Sequence, residues 1–224
     1  MSTRSSNGLA RISESVLRVR ILDKVDDIVE LGNVWERVYG EELNWIDTRT
    51  DITLHNDIYH DSSTYLSAMV DSTHVGVMRI VRRSIHKLPV ERFVSLDGIL
   101  RDGNHGVIEC QRLSVLKSFR RMRSRNAPYG VWPALMKASL QYMMKYKYEY
   151  LIADCFLNTS TTPIKALLNV GFKETGLVFR DTELGDPSDS TVLILESKDL
   201  LAKLYERRAP FYNYILTQDD AIAI

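Results

Sequence analysis

The densest chemistry in the sequence lies between residues 107 and 156. A strand-like run, VIECQRLSVL, leads into KSFRRMRSRNAPYG and then into a helix-like run that begins at Val131. The loop carries Lys117, Arg120, Arg121, Arg123 and Arg125 within nine residues. Backbone N–H groups left free at a helix start, here just after Gly130, attract anions. A pyrophosphate, a phosphopantetheine phosphate or an acidic protein surface suits this segment, and a solvated basic loop accounts for the same charge run. RNA fits less well, because no aromatic stacking pair is interleaved with the charges. Within the strand stands Glu109, a carboxylate where burial has little to recommend it. Its neighbour Cys110 points to the opposite face of the strand and reads as a buried filler rather than a nucleophile.

Other reactive patterns are missing. Cys110 and Cys155 form neither a disulfide framework nor a metal-ligand pattern. His55, His60 and His105 have no ligand spacing, so no metal is expected, and no Ser-His-Asp set is evident. Lys and Arg total 29 and Asp and Glu total 29, so the net charge gives no case for a nucleic-acid binder. No run of about 18 apolar residues occurs, so no membrane span is expected. MSTRSSNGLARISES is polar and lacks an apolar signal core, which favours a cytoplasmic location.

The elements that must position these groups follow from periodicity. Residues 1–15 read as a loose arm. Leu17, Val19 and Ile21 alternate with Arg18 and Arg20, as in a half-buried strand. Residues 25–40 have helical spacing, with Asp26 and Asp27 in the first turn and Gly40 as the expected stop. Residues 41–63 form a long connection, too apolar at Trp45, Ile52, Leu54 and Tyr59 for an idle linker. TYLSAMVD (64–71) and HVGVMRIVRRS (74–84) read as a hairpin, followed by an irregular stretch and then the strand at 107–116. Residues 131–147 form a helix with Pro133 near its start. YLIADCF is a strand, a short helix runs from Thr162–Pro163 to Gly171, and STVLILE is a late strand before a C-terminal helix ended near Pro210. This order predicts an α/β (α+β) mixed, mostly antiparallel sheet with helices on both faces. The expected division is an arm (1–15), a main domain (16–197) and a C-terminal helix and tail (198–224). Phe211, Tyr212 and Tyr214 on that helix would cover the chain's own core or a partner's, which leaves a homodimer open.

The run of strand, basic loop, helix, strand and short helix ending in LLNVGFKETG resembles the core of the GNAT N-acyltransferase superfamily, over roughly residues 17–197. That resemblance implies splayed middle strands, here VIECQRLSV and YLIADC, with a phosphopantetheine arm lying between them. The chain departs from the common acetyltransferase pattern. Arginines replace the glycines of the pyrophosphate loop, leaving Gly130, and Leu167 stands where a tyrosine acid is often found. A second resemblance is to the acyl-homoserine-lactone (autoinducer) synthases and the related N-acyl amino acid synthases. RVYGEELNW is similar to their Arg-x-x-Phe-x-x-x-x-Gly-Trp region, NDIYHDSSTYL to their Asp-x-x-Asp-x-x-x-x-x-Tyr-Leu stretch and IECQRLSV to their Glu-x-Ser-Arg-Phe-x-Val strand. VGVMRIVRRS…LPVERF resembles their Gly-x-x-Arg-Leu…Pro-x-x-x-x-x-Phe run. The resemblance implies a fatty acyl donor carried by acyl carrier protein or coenzyme A, a free amine of an amino acid or peptide side chain as acceptor, and no tightly bound cofactor. An autoinducer synthase using S-adenosylmethionine and a degenerate, binding-only domain are the alternatives.

Under that resemblance each residue carries two readings. Glu109 is the general base, or half of an ion pair with Arg112 or Arg79. Arg112 and Arg79 grip the acceptor's carboxylate with a guanidinium fork, or are structural. Backbone N–H groups near Leu113 and Ser114 face the thioester as oxyanion donors if the strand bulges there, and Val115 belongs to the same donor-binding stretch. Asp57 and Asp61 hold the acceptor amine, or pair with Arg37 and Arg79. Trp35 and Trp45 wall the acceptor pocket, or Trp35 is core. Met136, Met143 and Met144 line an acyl tunnel, or fill the core. Arg120, Arg121, Arg123, Arg125 and Gly130 bind the donor.

Overall fold

A computed structural model describes residues 16–22, 25–45, 57–100, 106–160, 162–181, 188–206, 210–217, 219 and 221–224. The expected arm, His55 and His105 lie outside these residues, as does the side chain of Phe211. The elements in chain order are β1 (Leu17–Leu22), α1 (Val25–Trp35), β2 (Ser63–Val70), β3 (Thr73–Arg82), β4 (Val107–Val115) and α2 (Val131–Lys145). There follow β5 (Tyr150–Phe156), α3 (Ile164–Val170), β6 (Lys173–Phe179), β7 (Ser190–Glu196), α4 (Ser197–Glu206), α5 (Pro210–Leu216) and β8 (Ile222–Ala223). The strands form one sheet in the order β6-β7-β5-β4-β3-β2-β1-β8. All pairings are antiparallel except β4 with β5 and β1 with β8.

Alternation sorts the two faces. Odd positions of β3 and β4, such as Val77, Arg79, Val81 and Glu109, share one face with α1 and with the segment from Leu88 to Leu100. Even positions, such as Met78, Ile80, Ile108 and Cys110, join the main core beneath α2, with Leu135, Met136, Leu140 and Met143. Gly76 is what allows β3 to lie so near α2. A Cβ there would meet Val131 at 2.9 Å and Leu135 and the Ser114 carbonyl at 3.2 Å.

Three element expectations change. The first helix does not stop at Gly40; it widens after Trp35 into a π-helical turn, Glu36–Glu42, that buries Val38 and Gly40. Its last turn hands over to Leu43 and Trp45, whose N–H groups bond Val38 and Tyr39 carbonyls. The single C-terminal helix is two, because Pro210 begins α5 instead of ending α4, a first-turn position that needs no donor. Beyond α5, the two-residue β8 adds a short edge strand that alternation could not mark. Tyr212, Tyr214 and Ile215 of α5 pack on or into the chain's own core.

Candidate active site

The site begins with a change partway along β4. From Val107 to Cys110 the strand pairs with β3 on one side and β5 on the other. Beyond Cys110–Ala153 the pairing with β5 ends, and the two strands part. On the β3 side Arg79 opposes Gln111 and Val77 opposes Ser114, so Arg112 and Leu113 together face Met78. This is a bulge, with Arg112 in the left-handed region at φ 50°. Such a conformation costs a non-glycine residue roughly 1–2 kcal/mol.

The bulge re-aims side chains. Gln111 and Arg112 now fall on the same face as Glu109, while Leu113 turns back to the α2 core. Trp35 holds the bulge from both ends. Its indole N–H donates to the Arg112 carbonyl at 2.9 Å, and the Arg112 guanidinium lies over its ring at 5.2 Å. Trp35 is 1% exposed, so it is core and site wall together.

Where the strands part, a cavity of about 1200 Å³ passes through the sheet. Its α1 side is polar, with Asp57, Arg79, Glu109, Gln111 and Arg112. Its α2 side is apolar, with Cys110, Leu113, Trp132, Met136, Cys155 and Leu167. Met143 and Met144 belong to the core instead.

The polar groups form one chain of contacts. Asp57 pairs with Arg79 and, at 3.3 Å, with Arg112. Arg79 donates to the Gln111 side-chain oxygen at 2.5 Å, and Gln111 donates to Glu109 at 2.6 Å. The Val90 N–H also donates to Glu109 at 3.1 Å. Burial, followed by the nearby Asp154 carboxylate, pushes Glu109 up to about 8, against the pull of Val90, Arg79 and Gln111. Burial also acts to raise Asp57, yet Arg79, the Tyr59 N–H and Arg112 hold it below the usual carboxylate range. Arg112 is drawn down to about 10 by burial and by Arg79. Burial lifts the Cys110 thiol to about 12, which leaves it inert as a nucleophile.

The remaining candidates divide. Trp45 lines the cavity, stacked on Tyr39 at 5.6 Å and set edge-on to Phe156 at 4.8 Å. Ser114 and Val115 line it as well. Asp61 and Arg37 are exposed, and Asp61 meets Arg82 only through its carbonyl. Arg120 reaches the rim but is held by Glu42 in a two-pronged pair at 2.5 and 2.7 Å. Lys117, Arg121, Arg123 and Arg125 are exposed on the loop, with Arg123 also bonded to the Pro128 carbonyl. Gly130, at φ 104°, turns the chain into α2 and does not line the cavity.

Sequence reasoning passed over Gln111 and Asp154. Both were findable by alternation: Gln111 shares the Glu109 face two positions on, and Asp154 is a lone carboxylate in the apolar run YLIADCF. It also passed over Thr159 and Thr162. Buried side-chain polar atoms of Arg79, Thr159 and Thr162, all lining this cavity, have no hydrogen-bond partner among the described residues. Buried polar atoms are normally paired, so water or a hydrogen-bonding ligand suits these positions.

No family model matches the chain. No curated protein matches it in sequence either. Solved structures do match in fold. FeeM, an N-acyl amino acid synthase from uncultured soil microbes, superposes with TM-score 0.66 at 15% identity, over 86% of this chain and 97% of that one. BjaI, a CoA-dependent acyl-homoserine lactone synthase, gives 0.62 at 17% identity, over 92% and 97%. The acyl-homoserine-lactone synthase LasI gives 0.60 at 16%, over 86% and 96%. An acetyltransferase of the GNAT family from Staphylococcus aureus matches as well, with a lower score. The chain has the GNAT fold, as the strand–loop–helix–strand pattern led one to expect.

Proposed function

We propose that this chain is an N-acyltransferase that moves a long fatty acyl group from a phosphopantetheine thioester to a free amine of an amino acid or peptide side chain. The observation that carries the reading is the cavity through the parted strands, apolar on one face and bearing a buried carboxylate of raised pKa on the other. An acyl chain suits the side of Met136, Trp132 and Leu167. The thioester carbonyl then lies at the bulge, where the β4 edge toward β5 has no strand partner and the Leu113 and Ser114 N–H groups serve as oxyanion donors.

Amide formation starts with an ammonium that must lose a proton. Glu109 is ionised only near and above pH 8 and is then a competent base. It lies four residues from Leu113 along β4, roughly 13 Å at ~3.3 Å per residue. It therefore draws the proton through intervening water, and not by touching the reacting centre. The amine attacks, the oxyanion forms at the bulge, and its collapse breaks the C–S bond. Cys110 is too weakly acidic to interpose a covalent step. Arg112, stacked and part-exposed, offers its fork to an acceptor carboxylate.

The donor is acyl carrier protein, with acyl coenzyme A as the alternative, since the exposed Lys117, Arg121, Arg123 and Arg125 present positive charge to an acidic carrier. FeeM's description as an N-acyl amino acid synthase supports an amino acid as acceptor. BjaI's, with S-adenosylmethionine and isopentyl-CoA, keeps the lactone reaction as the comparison to exclude. Incubation of the chain with acyl carrier protein or acyl coenzyme A, an amino acid pool and labelled S-adenosylmethionine, read by mass spectrometry, tests this. An N-acyl amino acid or peptide is the expected product. A labelled lactone, or no transfer by wild type from either donor, overturns the assignment.

A further inference from the structure

Breaking the C–S bond releases a thiolate, and none of the groups given a role above returns a proton to it. Leu167 lines the cavity and has no proton to give. Two phenols line the polar side. Tyr59 lies by Glu109 and Arg92, near the paired half of β4. Tyr39 lies at the open half, its hydroxyl facing that of Ser114.

Tyr39 is held more firmly than a π-helical turn alone would hold it. Its carbonyl accepts the Trp45 N–H at 2.8 Å, and its ring stacks on the Trp45 ring with planes 18° apart. Trp45 in turn packs edge-on against Phe156 of β5. The phenol is thus wedged between Ser114 on one parted strand and, through Trp45, Phe156 on the other. Its charged neighbours suit an acid that passes briefly through an anion. Burial is the largest influence and keeps the resting phenol neutral, while Arg112 and Arg79 favour the phenolate and Asp154 opposes it.

We propose that the Tyr39 hydroxyl protonates the departing sulfur, seated across the gap in β4 and β5 where the thioester arm must lie. The proposal rests on the acyl-transfer reading. In the step, the C–S bond breaks with its electron pair going to sulfur, and sulfur takes the phenolic proton to give a free thiol. The phenolate regains a proton from solvent, and Glu109 returns to solvent the proton it took from the amine. The overall change is thioester plus amine to amide plus thiol, with no other reactant.

The test compares Tyr39→Phe with wild type on two donors of the same acyl chain, an alkyl thioester (acyl-pantetheine) and an aryl thioester of thiophenol, under single-turnover conditions. Phenylalanine keeps the stack on Trp45 and removes only the hydroxyl. Expected is a loss of about 10²-fold with the alkyl donor and a change within about threefold with the aryl donor, whose thiolate needs no proton. Equal losses with both donors, or none with either, overturn the assignment. Where Tyr39→Phe does not fold, wild type alone decides. Turnover that is nearly flat across thioesters of decreasing thiol acidity supports the acid, and a steep fall overturns it. Absence of transfer by wild type from every donor overturns instead the acyl-transfer reading beneath.

Discussion

The two halves of β4 differ in almost every respect that matters for chemistry. Val107–Cys110 is paired on both edges, alternates strictly, and buries Val107, Ile108, Glu109 and Cys110. Gln111–Val115 is paired on one edge only, breaks alternation at Arg112–Leu113, and opens onto the cavity. The closed half supplies a buried, low-dielectric setting that, with the Asp154 carboxylate, raises the Glu109 pKa. The open half supplies backbone donors and a re-aimed arginine. Gln111, at the junction, ties the two together through Glu109 and Arg79. A carboxylate of raised pKa and a ligand-sized gap thus arise within one strand because pairing stops at its middle.

The largest expected effect comes from attacking the closed half. Glu109→Gln should lower single-turnover amide formation by about 10²–10⁴-fold and remove the acid limb, near pH 8, from its pH profile. The same change should act on stability with a definite sign. In the folded chain Glu109 keeps its proton up to about pH 8, whereas unfolded it ionises near 4.5. The stabilisation from the neutral form is complete below pH 4.5 and is lost as pH rises through 8, by at most about 1.4 kcal/mol per unit. Thermal melts should therefore shift in favour of Glu109→Gln, relative to wild type, between pH 5 and pH 8. An unchanged gap would mean that Glu109 is not protonated in the native fold.

Next comes the contact that lets the open half sit where it does. Gly76→Ala pushes a methyl toward Val131, Leu135 and the Ser114 carbonyl. It should cost about 1–3 kcal/mol in chemical denaturation. Trp35→Phe keeps a ring under Arg112 and deletes the bond to its carbonyl. It should cost about 0.5–1.5 kcal/mol of stability and lower kcat more than it raises KM, since the bulge loses its tether while a ring still lines the wall. The smallest effect lies on the exposed basic loop. Reversing Arg121, Arg123 and Arg125 together should leave transfer from a small acyl-pantetheine unchanged. It should weaken use of acyl carrier protein several-fold and flatten its salt dependence. A salt-indifferent reaction that ignores the reversal would remove the loop from donor docking.

Much of the framework around β4 was legible in the residues. Alternation located β1 to β5 within a residue or two, and Glu109 stood out as a carboxylate in an apolar strand. Arg112, Arg79 and Asp57 were named as candidates, and the structure brings them into one network with it. The same rule fails at the bulge, since strict alternation would put Arg112 on the face of Cys110. The π-helical extension was hidden because Val38 and Gly40 read equally well as the end of a helix. Asp61 was named for its type and spacing, which carry no information about which way a short loop turns.

What the sequence determined by itself was the set of elements, their order and the chemical types available at each face, because these depend on periods of two and 3.6 residues and on local turn chemistry. Only the tertiary structure decided where β4 and β5 separate, which way Arg112 points and which acids share the cavity. The bulge is stabilised by Trp35, 77 positions earlier in the chain, and the Glu109 proton by burial beneath a loop 19 residues away. Contacts that depend on such distant partners have no local signature, because the energy that fixes them exists only once the sheet has assembled.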